Sequence, residues 1–180
     1  MKDVVCGLAK SGFRQIVVLN WHLENAGYLW EACDRATREY PEIRCVLIEN
    51  PFPEFTSDEL EQVFPHGFAG WALEHASIVE TSMMLRVRPD LVRIERVVDD
   101  APRRAPGWDV LPPPSDFLTT TGVLARATGA SADIGELLLT AAAQKLAAAI
   151  EAEFDVSRVA PVSGAPASNG QPTTRARGRP

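Results

Sequence analysis

"RQIVVLNWHLENAGYLWEACDRATREYPEIRCVLIEN", residues 14–50, reads as a strand, a helix and a strand. The run Ile16–Leu19 is apolar without alternation, the mark of a strand covered on both faces. After Asn25 the period changes to that of a helix, with Leu29, Cys33 and Ala36 on one stripe. Residues 42–50, "EIRCVLIEN", form a second apolar strand. Two strands joined through a helix imply parallel pairing and a right-handed crossover, hence an α/β fold. In such sheets ligands bind outside the carboxyl ends of the strands. His22 and Glu24 follow the first strand at just that place. In an extended segment residues i and i+2 share a side, so the two should project together, with Trp21 and Leu23 opposite. An imidazole and a carboxylate on one side suit half of a zinc or hard-metal site. A structural or solvent-facing pair is the competing expectation.

The surrounding chain extends the pattern. "DVVCGLAKSG", residues 3–12, is a helix closed by Gly12. Residues 51–71 give a loop, a short helix opened by Thr56 or Ser57, and a Gly-rich turn into Trp71. "EHASIVETSMMLRVRPDLV", residues 74–92, is a helix that breaks before Pro89. On it Glu80 shares a face with Met83, Met84 and Val87, where a carboxylate needs a partner or a cation. Ser77-x-x-Glu80 also has the spacing of a capping box, so both roles stay open. A long Pro-rich segment, residues 99–122, precedes the closing helix of residues 131–154. We expect one domain over 1–154, then a disordered Pro/Gly/Ala/Arg tail over 155–180.

Composition narrows the function. A net charge of −6 over 180 residues argues against a general nucleic-acid binder, which needs a basic face. No apolar run reaches the length of a membrane span, and no signal peptide opens the sequence. Cys6, Cys33 and Cys45 are scattered, which suggests reduced thiols and a cytoplasmic protein. No P-loop, G-x-G-x-x-G or G-x-S-x-G occurs.

Three segments in register, "GFRQIVVLNWHLEN", "FPHGFAGWALEHASIVETSMMLRVRPDLV" and "TGVLARATGASADIGELLL", resemble the creatininase (creatinine amidohydrolase) family. The resemblance implies a layered α/β/α fold, a homo-oligomer (a hexamer in the family) and hydrolysis of a small-molecule amide. It also implies two divalent metal ions per complete site, zinc or manganese. His22 and Glu24 match the family's N-G-H-x-E-N form and so resemble ligands of one metal, and Glu80 a ligand of the second. His75 resembles the histidine that contacts substrate and protonates the leaving nitrogen. Leu23, Trp71 and Ala72 fall at positions that touch substrate in the family.

Four departures qualify that picture. Trp21 stands where the family has glycine, Ala72 where creatininase has aspartate, and Pro51 where creatininase has a second gating tryptophan. The family's earlier E-Q-H-G-x-H-L-P segment, and the aspartate that bridges both metals, have no counterpart in the sequence. The expectation is therefore a C-terminal portion of the family fold, lacking N-terminal strands and helices, with an incomplete metal site. A non-catalytic family member, or a subunit that needs a partner chain, is the alternative.

Overall fold

The computed structural model describes residues 1–52, 55–102, 107–108, 110–117 and 119–154. The expected tail lies outside the described residues. Helix α1 (Lys2–Lys10) leads into strand β1 (Gln15–Leu19), helix α2 (Ala26–Glu39) and strand β2 (Arg44–Ile48). The turn after α1 uses Gly12 at φ 96°, a conformation open to glycine and costly for other residues. The two strands pair in parallel, with Ile16 opposite Cys45 and Leu19 opposite Ile48. The expected strand–helix–strand unit is present.

Helices lie on both sides of the sheet, in the α/β/α order, but cover its two strands unequally. On one face Ile16, Val18 and Cys45 pack with Val5, Cys6 and Ala9 of α1 and Ala36 of α2. On the other side lies α5 (Ala132–Glu153), whose Glu153 pairs with Arg44 of β2. Lys145 of α5 donates to the carbonyls of Asn50 at 2.9 Å and Phe52 at 2.5 Å, just beyond β2. Here one expectation needs correction. Val17 and Leu19 share the face of Val46 and Ile48, yet stay 36% and 41% exposed. Among the described residues α5 reaches β2 and leaves that side of β1 open, so β1 is covered by them on one face only.

A second core forms where α3 (Ser57–Val63), α4 (Ile78–Val87) and α5 meet, around Val63, Val79, Met83 and Leu138. α3 begins with a full capping box, Thr56 taking the Glu59 N–H while Glu59 takes the Thr56 N–H. α4 and α5 cross in tight contact at Gly135. A Cβ built there would lie 2.1 Å from the Ser82 carbonyl oxygen and 2.9 Å from Arg86 Cβ. Ser82 is fully buried, and its Oγ accepts from the N–H of Ser131, the N-cap of α5, at 3.1 Å. Among the described residues no helix is long and apolar enough to cross a membrane. All three cysteines are free thiols, and burial, with the Cys33 thiol beside it, pushes Cys45 up to about 12.

Candidate active site

The strands part after Leu19 and Ile48, and a buried asparagine fills the opening. Asn20, 2% exposed, continues the ladder by donating its N–H to the Ile48 carbonyl at 2.9 Å. Its side-chain amide then bridges both strand ends. Nδ2 donates to the carbonyls of His22 at 2.7 Å and Glu49 at 3.0 Å, and Oδ1 accepts from the His22 N–H at 3.2 Å. Every polar group of that side chain is satisfied while the two backbones diverge, so the crevice is built rather than accidental.

His22 is extended, and a 3₁₀ turn (Leu23–Asn25) follows at once. His22 Nδ1 lies 2.5 Å from Glu24 Oε2, so the pair does project together. The 3₁₀ turn, not strand alternation, brings them there. It also overturns the expected segregation: Trp21 and Leu23 border the same cavity as His22 and Glu24.

The other half of the site comes from the segment entering α4. Gly70, at φ 99°, turns the chain into a short 3₁₀ helix (Trp71–Leu73). Trp71 stacks flat on Phe52, with centroids 5.3 Å apart and 9° between planes, and Phe68 meets it edge-on at 5.1 Å. Beyond it Ala76 adopts φ 52°, a left-handed conformation that costs an alanine about 1 kcal/mol. That turn swings His75 to the cavity wall. It is held by three contacts: Ala76 N–H donates to Glu80 Oε2, while Ser77 Oγ (2.9 Å) and Leu124 N–H (3.1 Å) donate to the His75 carbonyl.

The capping-box expectation for Ser77 and Glu80 is met only in altered form. Ser77 caps nothing with its side chain. Glu80 bonds the N–H of Ala76, one residue before the N-cap, and Glu74 Oε1 accepts from Val79 N–H at 2.8 Å in Ser77's place. Glu74 was not foreseen from the sequence. Burial pushes its carboxyl up to about 7, against the lowering bond from Val79, with the Glu80 carboxylate adding to the rise.

His22, Leu23, Glu24, Trp71, Ala72, His75 and Glu80 all border one cavity of about 390 Å³. Glu49, Glu74, Phe117 and Leu124 join them. No Lys or Arg does so among the described lining residues. The chain just after the lining residue Leu124 is tied to Asp99. Asp99 accepts from the N–H groups of Ala127 (2.8 Å) and Thr128 (2.7 Å) and from Arg126 Nε (2.9 Å), which together hold its carboxyl far below the usual range. The donors His22 and Glu24 suit a divalent cation in kind. In number they do not close a site: among the described residues no three His, Cys, Asp or Glu side chains lie close enough to hold a metal ion.

A creatininase family model, described as creatinine amidohydrolase, matches residues 1–150. Creatinine amidohydrolase of Pseudomonas putida is 37% identical over 161 residues, 86% of this chain and 61% of that protein. A solved structure of a mutant creatininase of Zn-Zn type has a TM-score of 0.77 at 35% identity, over 85% of this chain and 61% of that one. A manganese form, "Creatininase Mn", has a TM-score of 0.76 at 36% identity, over 85% of this chain and 62% of that one. The chain thus spans about three fifths of the length of these relatives.

Proposed function

Because the chain belongs to the creatininase family, we propose that it carries the catalytic half-site of a metal-dependent amidohydrolase, which cleaves a C–N bond of a small-molecule amide. One observation carries the reading. Seven residues matched by the resemblance, drawn from segments some fifty positions apart, converge on one cavity beyond the carboxyl ends of the parallel strands. In this reading His22 and Glu24 offer ligands to one divalent ion and the carboxylate of Glu80 to another, zinc or manganese. Such ions supply Lewis acidity for the carbonyl and for an attacking water. His75, held by its backbone at the cavity wall, would give a proton to the leaving nitrogen. Leu23, Trp71 and Ala72 border the substrate. Ala72 offers no side-chain acceptor, which disfavours creatinine and leaves cyclic amides of other shape, formamides and peptide-like amides. The free thiols support a reducing, cytoplasmic setting, and we expect a homo-oligomer, as in the family.

The test is amide hydrolysis by the purified protein with added Mn²⁺ or Zn²⁺, against His75→Ala and His22→Ala. Any turnover is expected to depend on the metal and to be abolished in both variants, with creatinine a poor substrate. Turnover indifferent to metal and to both changes sinks the reading.

A second reading has its own support. Two ligands in contact and a third elsewhere on the cavity lining leave each metal open, and among the described residues β1 pairs with β2 alone and keeps Val17 and Leu19 exposed. In that reading the chain is non-catalytic alone, and polypeptide outside these 180 residues completes the site. Elemental analysis after gel filtration separates the two. Tight stoichiometric metal favours the first, and metal well below one per chain favours the second.

A further inference from the structure

The residue that departs most in size from the family pattern is Trp21, an indole where the family has glycine. It sits at the cavity mouth and keeps 47% of its surface exposed. Its ring meets Phe52 edge-on, centroids 5.8 Å apart and planes at 71°. Phe52, 7% exposed, in turn lies flat on Trp71. The three rings form one aromatic wall from rim to floor. At one end Phe55, Phe64 and Phe68 also pack against Trp71. At the other, Trp21 has Phe52 as its one aromatic neighbour among the described residues and leaves much of its ring open to a ligand. Phe117 and Leu124 add further apolar lining to the cavity.

The polar lining sets the charge of a fitting ligand. In the metal-free chain Glu24, Glu49 and Glu80 border the cavity beside the buried Glu74, with no Lys or Arg among the described lining residues, so an anionic group would meet repulsion there. A flat uncharged ring would cover the exposed indole and gain offset or edge-to-face contacts with it.

We infer that Trp21 is a specificity-determining residue, and that it selects amides bearing a flat, uncharged aromatic substituent, of benzamide or anilide type. The inference rests on the amidohydrolase reading for the word substrate, but its test reads binding alone. Benzamide, acetamide and hippurate (an aromatic amide with a carboxylate) are titrated into the wild-type chain, Trp21→Gly and Trp21→Phe by ligand-observed NMR. Wild type is expected to hold benzamide about tenfold tighter than acetamide, the share of one good aromatic contact, and hippurate more weakly than benzamide. Trp21→Gly removes the benzamide advantage and leaves acetamide unchanged, whereas Trp21→Phe keeps most of it. Equal benzamide affinity in wild type and Trp21→Gly overturns the inference, as does a wild type with no preference for the ring. Ring-selective binding without any hydrolysis supports the inference while counting against the amidohydrolase reading. Hydrolysis with no ring selectivity does the reverse.

Discussion

Replacing Gly135 by alanine tests the packing that carries half of the site. Two effects of opposite sign compete. In the interior of α5 alanine is the better helix former, by about 1 kcal/mol. Against this, the new methyl would sit 2.1 Å from the Ser82 carbonyl oxygen, 2.7 Å from Ser82 C and 2.9 Å from Arg86 Cβ. The first two are backbone atoms of α4 and cannot rotate away. Restoring ordinary contact with that oxygen, ~3.5 Å, needs α4 and α5 to separate by about 1.4 Å. Overpacking of this kind costs roughly 1–3 kcal/mol, and a backbone obstacle puts it at or above the upper end. The net expectation is a loss of about 2 kcal/mol. Gly7, in α1, is the control, since a Cβ there meets nothing within 4 Å. Gly7→Ala should therefore gain up to about 1 kcal/mol from propensity and chain entropy. Urea melts of the three proteins, compared at constant m, give both numbers. If Gly135→Ala is as stable as wild type or more so, the close helix crossing is not real. The account of how α4 is positioned then falls with it.

Two further changes probe the site directly. Glu74→Gln should remove a pH dependence. A folded pKa raised from 4.5 to about 7 means that the carboxyl stabilises the fold at low pH, and that this is lost as pH rises through about 7. The Gln variant should therefore gain on wild type between pH 5 and pH 8 in metal-free melts, and an equal difference at both pH values rejects the assignment. Asn20→Leu keeps the volume but takes the Asn20 donors from the His22 and Glu49 carbonyls, whose bonds are part-buried, at a cost of about 2 kcal/mol. It should also speed hydrogen exchange at the His22 amide, and a loss under about 1 kcal/mol with unchanged exchange would show that water replaces the bridge.

Much of the fold was legible in residues 14–50, because the change of hydrophobic period between strand and helix is a local property. The uncovered side of β1 was not legible. An apolar strand reads the same whether or not anything packs on it, since coverage depends on distant chain. The same distinction divides the site. His22 and Glu24 could be placed at a strand end from order alone, although the 3₁₀ turn that joins them was invisible to an argument from alternation. That Trp71, His75 and Glu80 face the same cavity came from the family resemblance, not from spacing. The capping of α4 follows the Ser77–Glu80 spacing only in altered form, for a physical reason. Ser77 and Glu80 have the right spacing, but the left-handed turn at Ala76 shifts the bonding by one residue and hands the N-cap's task to Glu74. Asn20 carried a usable signal, an amide closing an apolar run, which could have been read as a splayed strand end.

The division of the interior into two packing clusters bears on how the protein fails. His22 and Glu24 extend from the cluster built by α1, β1 and α2, while Trp71, His75 and Glu80 belong to the chain that packs with α3 and α5. The cavity is the seam between these units, latched by Lys145 on the carbonyls after β2 and by the contact of Arg44 with Glu153. Ligand binding therefore reports the alignment of two bodies, while circular dichroism reports the helices within each. Mild denaturant or a charge change at Lys145 should silence the cavity while most helical signal persists, and the α1–β1–α2 amides should exchange as a group of their own. For this molecule, a melting curve measures the durability of the walls and misses the earlier event, the slipping of the joint.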